Sequence, residues 1–205
     1  MKVNNSIKAF EKGFGEKLFS KSFSPIIILI LILTSCAGGV PDDEAAGIVA
    51  ELVEQSYEMN EIYFGEGMPV RDDEEAALYA YVADDAPYLT EAELREATLG
   101  VYTTNYASYL FQIFLTGYSD SDSGVVYARY VENGDRLMKR LDIIEELPPR
   151  TYDLDSIEIL RSRKREITAT LTSTDGVEVE VTVRLEERAS EDGTVSVWRL
   201  DSPTY

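Results

Sequence analysis

"VEVEVTVRLEE", residues 177–187, decides the fold class of this chain. Val177, Val179, Val181, Val183 and Leu185 are apolar, while Glu178, Glu180, Thr182, Arg184 and Glu186 are polar. An alternation of period two gives one dry and one wet face only when the backbone is extended. A strand with one face in water belongs to an antiparallel sheet. Around it, Ile167, Ala169 and Leu171 alternate in the same way, Ile157 and Ile159 begin another strand, and residues 194–200, with Trp198, close the sheet. Asp175-Gly176 and Asp192-Gly193 mark the joints. Residues 125–132 and 135–141 flank Asn133-Gly134, a signal for a two-residue hairpin turn.

The first half has a different period. Ile48, Leu52, Gln55/Ser56, Met59 and Ile62/Tyr63 recur at three to four residues, with Glu51, Glu54, Glu58 and Glu61 on another face, which predicts an amphipathic helix. Asp42 or Asp43 can cap it, and Gly65, Gly67 and Pro69 end it. Residues 71–75 read as a solvated loop and 78–82 as a short extended segment. Thr90 and Glu93 form a capping box ahead of Leu94, Ala97 and Val101. A third helix is expected over about residues 105–116, with Tyr106, Tyr109/Leu110, Ile113 and Phe114 inward and Gly117 as its stop. Helices followed by an antiparallel meander make an α+β domain, with the N-terminal helices packed on one face of a curved, cone-like antiparallel sheet.

Five lysines (Lys2, Lys8, Lys12, Lys17, Lys21) precede Pro25 and the aliphatic run 26–33, which ends in Leu33-Thr34-Ser35-Cys36. A basic segment, a short apolar run and small residues are the parts of an export signal, and the run is far below the ~20 residues of a spanning helix. Leu33 to Cys36 resembles the lipobox of bacterial lipoproteins. That resemblance implies cleavage before Cys36, a diacylglycerol on its sulfur, and a place on the extracytoplasmic face of the cell membrane. The chain then divides into a signal at 1–35, a tether at 36–42 and one domain at 43–205. Taking 35 residues from 205 leaves 170, enough for a sizeable core. The signal takes five of the 19 basic and two of the 38 acidic residues, so the remainder carries 14 against 36, a net charge of −22. Such a surface repels nucleic acid, anionic lipid headgroups and anionic wall polymers, so a lipid anchor is needed to hold it at the membrane. From Cys36 to Thr98 there are 17 acids against Arg71 and Arg95, whereas 161–205 holds nine acids and seven bases.

The element order, with the Trp-containing last strand "VSVWRLDSPTY", looks like the cystatin-like cone of the nuclear-transport-factor-2-like superfamily over roughly residues 43–205. Within exported Gram-positive proteins of that shape, "YAYVADDAPYLTEAELREATLGVYTTNY" and "VYARYVENGDRL" are similar to the IseA-type inhibitors of cell-wall D,L-endopeptidases, chiefly at Tyr79, Tyr81, Tyr102 and Trp198. The resemblance implies a non-catalytic partner for a cell-wall hydrolase.

No histidine is present, which removes Ser-His-Asp, Cys-His and His-metal chemistry. An acylated Cys36, the only cysteine, is neither nucleophile nor zinc ligand. Lys139, beside Arg136 and Arg140, reads as a solvated sheet edge. Arg161, Arg163, Lys164 and Arg165 read as a polar strand end and turn, with an anion site as the competing reading. Residues 119–124, "SDSDSG", lack the ligand alternation of a calcium loop. No metal and no cofactor is expected. Tyr57, Tyr63, Tyr106 and Tyr109 fall at core spacing, which leaves Tyr79, Tyr81 and Trp198 as candidate cleft residues and Asp72, Asp73, Glu74 and Glu75 as a candidate acidic docking loop. Two functions stay open. One is a lipid-anchored module that binds a basic envelope protein such as a cell-wall hydrolase. The other is a small-molecule or glycan binder, or a carboxylate-based enzyme.

Overall fold

The computed structural model describes residues 39–71, 78–117, 128–142, 150–190 and 193–205. Helix α1 (Asp42–Phe64) is followed by strand β1 (Tyr79–Tyr81), helices α2 (Glu91–Val101) and α3 (Thr104–Phe111), and a π-helical turn (Gln112–Thr116). Strands β2 (Tyr130–Asn133), β3 (Arg136–Arg140), β4 (Tyr152–Arg163), β5 (Glu166–Ser173), β6 (Glu178–Ser190) and β7 (Gly193–Leu200) complete the chain. The arrangement is α+β, with a curved, unclosed sheet.

The strands form two sheets rather than one meander. β4-β5-β6-β7 is a four-stranded antiparallel sheet, and β1-β3-β2 is a separate three-stranded one. The short extended segment ahead of α2 is the cause: Tyr79 and Tyr81 pair with Arg140 and Met138, so β1 takes the free side of β3. β3 is therefore a central strand, and the sheet-edge expectation for Lys139 is corrected. The ammonium of Lys139 donates to the Glu66 carbonyl at 3.0 Å. It joins the buried Arg129, which donates to the Gly65 carbonyl, at the C-terminal end of α1. That helix has no basic residue in its own last turn, so cations from the small sheet meet the negative end of its dipole.

In the large sheet the register places Ile167 opposite Val183, Ala169 opposite Val181, and Val183 opposite Leu200. All of these side chains are buried, in one core with Ile48, Val49, Leu52, Val53 and Met59 of α1. Burial along "VEVEVTVRL" is strongest at Val181 and Val183, whereas Val177 lies exposed in the β5–β6 turn. Thr168, Thr170, Glu180, Thr182 and Arg184 point to the wet face, where Arg184 meets Glu166 at 3.4 Å and Asp201 at 3.1 Å. β4 starts at Tyr152, earlier than Ile157, and is interrupted by register shifts against β5.

Several local expectations move by a residue or two. Pro41, not Asp42 or Asp43, occupies the N-cap of α1, and both acids lie in its first turn, where the dipole favours them. The capping box of Thr90 and Glu93 forms, and Gly65 ends α1. The hairpin turn is Gly134-Asp135 rather than Asn133-Gly134, since Asn133 pairs with Arg136 and Gly134 takes the positive φ of 70°. The third helix changes to π pitch at Gln112, which advances the buried face from Leu110 to Leu115. Ile113 is left exposed, as is Tyr109 at 54%. Gly117, with a φ of 68°, stops the helix.

Residues expected in the tether belong to the fold. Val40 is 4% exposed and part of the core, and its carbonyl accepts from the Ser162 hydroxyl at 2.5 Å. At the other end of α1, Asn60 donates to the carbonyl (2.9 Å) and hydroxyl (3.0 Å) of Thr204 and accepts from the Tyr102 hydroxyl at 2.9 Å. Thr204 continues to Ser56 at 2.7 Å. This buried polar network fastens residues 201–205 against the helix, because each buried donor and acceptor in it would otherwise be left without water.

Candidate functional site

Tyr79 and Tyr81 lie two residues apart on β1, on the face opposite the buried Ala80. Both are half-buried. The Tyr79 hydroxyl donates to the Ala128 carbonyl at 3.0 Å, and the Tyr81 hydroxyl accepts from the Asn133 amide at 2.7 Å. The Arg140 and Arg71 guanidinium groups stand 5.9 Å from the Tyr79 and Tyr81 rings respectively. Trp198 is elsewhere. It lies on the inner face of β7, opposite Leu185 and 5% exposed, in the core with α1. The three candidate cleft aromatics do not stand together: two belong to the small sheet, and the third fills the core of the large one. The i, i+2 relation of Trp198 to Leu200 carried the signal for a core position.

Asp84, in the turn after β1, accepts from Arg71 at 2.6 Å and from Arg136 at 2.7 Å while remaining open to water. Sequence reasoning missed this clamp, because the three residues come from separate segments. The hydrogen bonds from Arg71, then Arg136, hold its carboxyl below the usual aspartate range. A depressed folded-state pKa contributes stability above the unfolded pKa and loses it as pH falls through the folded value. In a carboxyl NMR titration Asp84 should therefore have a midpoint below that of a free aspartate. Arg71→Gln with Arg136→Gln should bring the midpoint back up. A midpoint unmoved by the pair of substitutions would remove the clamp.

The other acids with moved pKa values shift the same way. Arg140 lowers Asp142, and the Ser173 hydroxyl lowers Asp175. Some acids elsewhere find cations: Glu91 pairs with Arg95, Glu166 with Arg184, Glu186 with Arg188 and Glu187 with Arg165, while Glu132, Glu158, Glu178 and Glu180 form no ion pair among the described residues.

α1 differs. Its 23 residues include Asp42, Asp43, Glu44, Glu51, Glu54, Glu58 and Glu61 and no basic residue. None of these seven forms an ion pair among the described residues. Their contacts are neutral: Gln55 donates to Glu51 at 3.1 Å, the Tyr88 hydroxyl to Glu58 at 3.2 Å, and the Glu66 amide to Glu61 at 2.8 Å. Glu51, Glu54, Glu58 and Glu61 follow each other at three and four residues, so they form one acidic ridge on the side away from the core.

Cys36 and the loop acids Asp72, Asp73, Glu74 and Glu75 lie outside the described residues, as does the segment 119–124. Among the described residues, no group of three or more acids is placed to hold a metal ion, and no helix is long and apolar enough to cross a membrane. Comparison of the chain with protein-family models, with curated proteins and with solved structures finds no match.

Proposed function

We propose that this protein is an exported, lipid-anchored and non-catalytic binding module that docks onto a basic surface of another envelope protein. A cell-wall hydrolase is the first candidate. The observation that carries the reading is the unpaired acidic ridge of α1. Like charges at i, i+3 and i, i+4 each destabilise a helix by about 0.2–0.5 kcal/mol, and no basic residue of α1 offsets them. A strip of carboxylates kept against that cost is suited to a cationic partner. The core position of Trp198 favours docking over the glycan-binding alternative, since it takes the one tryptophan away from any cleft lining.

The membrane side of the proposal rests on Cys36 and its surrounding lipobox-like residues. Cys36→Ala removes both the acceptor sulfur and the recognition needed for cleavage. Metabolic labelling with a fatty-acid probe should mark the wild type and leave the variant as an unlabelled, longer precursor. Equal label on both would defeat the anchor. For the docking side, crosslinking from the envelope fraction should capture a basic protein with the wild type and lose it when the ridge is reversed in charge.

A further inference from the structure

We propose that the β4–β5 end of the domain is its membrane-facing base, with Leu160, Arg163 and Lys164 in contact with an anionic lipid surface. This rests on the anchor reading above, because it takes the segment before Gly39 as held at a bilayer. Gly39 is packed so closely on β4 that a Cβ there would stand 2.2 Å from the Ser162 carbonyl oxygen. The chain thus enters the fold beside residue 162. From Cys36 to Gly39 is a reach of three residues, at most about 11 Å. A lipid on Cys36 therefore draws this end of the domain to the surface. The opposite end is set by the path of α1: Val40 lies at Ser162, whereas the Tyr57 hydroxyl accepts from the Tyr152 amide at 3.2 Å. α1 runs antiparallel to β4, away from the bilayer.

The side chains at this end have the chemistry such a surface takes. The turn at Lys164-Arg165 gathers four cations. Arg161 lies 4.0 Å from Glu166, and Arg165 lies 3.1 Å from Glu187. Arg163 and Lys164 are exposed and meet no carboxylate among the described residues. Leu160, three residues before Arg163 on β4, is 52% exposed. An exposed apolar side chain on a strand that ends at two unpaired cations fits the headgroup boundary of an anionic membrane. Asp42, Asp43 and Glu44 share this end and oppose the contact, but they sit at the positive end of the α1 dipole, which partly offsets them. The −22 of the whole domain is screened beyond about 8–10 Å at physiological salt. The local groups therefore decide the contact.

The test uses the full chain with Leu160→Cys or Val177→Cys, made in a bacterium that processes lipoproteins. Each protein is labelled with a fluorophore and reconstituted in vesicles containing headgroup-quencher lipid. Val177 lies in the β5–β6 turn at the far end, so the label at 160 should be quenched several-fold more than the label at 177. Adding Arg163→Glu and Lys164→Glu should lower quenching at 160 in phosphatidylglycerol vesicles and leave it unchanged in pure phosphatidylcholine. Equal quenching at the two positions, or indifference to the double substitution, overturns the proposal. Fatty-acid labelling of the same preparations separates the two readings. Protein that is unlabelled and absent from the membrane defeats both, and protein that is labelled and bound but unquenched at 160 defeats this one alone.

Discussion

Val181→Asp should destabilise the domain by at least about 3 kcal/mol, because it buries a carboxylate without a partner, whereas Thr182→Asp should cost under about 1 kcal/mol. Val181 has no exposed surface and pairs with Ala169 on the inner face, in the core shared with α1. Thr182 pairs with Thr168 on the outer face, where a new acid keeps its water and lies two residues from Arg184. In thermal melts the difference should appear as a drop of roughly 10 °C for the first variant and a shift of a few degrees at most for the second. Equal shifts would mean that β6 is in the wrong register, and the assignment of the wet and dry faces would go with it.

That register was legible because period two is a local property of the chain. The capping box at Thr90 and the stop at Gly65 were legible for the same reason: each depends on a few adjacent residues. The division into two sheets was not. Nothing near Tyr79 specifies pairing with Arg140, some sixty positions away, and β1 is only three residues long. The π turn is a similar case, since a one-residue change of pitch at Gln112 moves Leu115 into the core and Ile113 out, against a helical count that put Ile113 inside. The burial of Asn60 has no local signal either, because Thr204 and Tyr102 satisfy its amide from distant segments. For the candidate site, sequence separated the acidic ridge of α1 from its apolar face correctly. It could not show that the ridge goes unpaired, because pairing is a property of the tertiary structure.

Reversing Glu51, Glu54, Glu58 and Glu61 to lysine should slow association with a basic envelope partner by on the order of 10- to 100-fold, because steering of the encounter scales with the charge the partner approaches. A purified cell-wall D,L-endopeptidase is the partner to use first, and surface-immobilised binding kinetics the measurement. The wild-type association rate should fall steeply between about 0.05 and 0.5 M salt as the screening length shrinks, while dissociation changes less. The fold should tolerate the change, since all four side chains lie off the buried stripe of Ile48, Leu52, Met59 and Ile62, and four lysines repel one another along a helix about as four glutamates do. An unchanged melting curve then ties any loss of binding to charge rather than to unfolding. The same reversal at Asp72, Asp73, Glu74 and Glu75 separates the two acidic surfaces: a loss confined to that loop moves the docking face off α1, and losses from both sets make it continuous across them. Binding that ignores salt and both reversals would eliminate the docking model, and glycan turnover by the purified protein would put a carboxylate enzyme in its place.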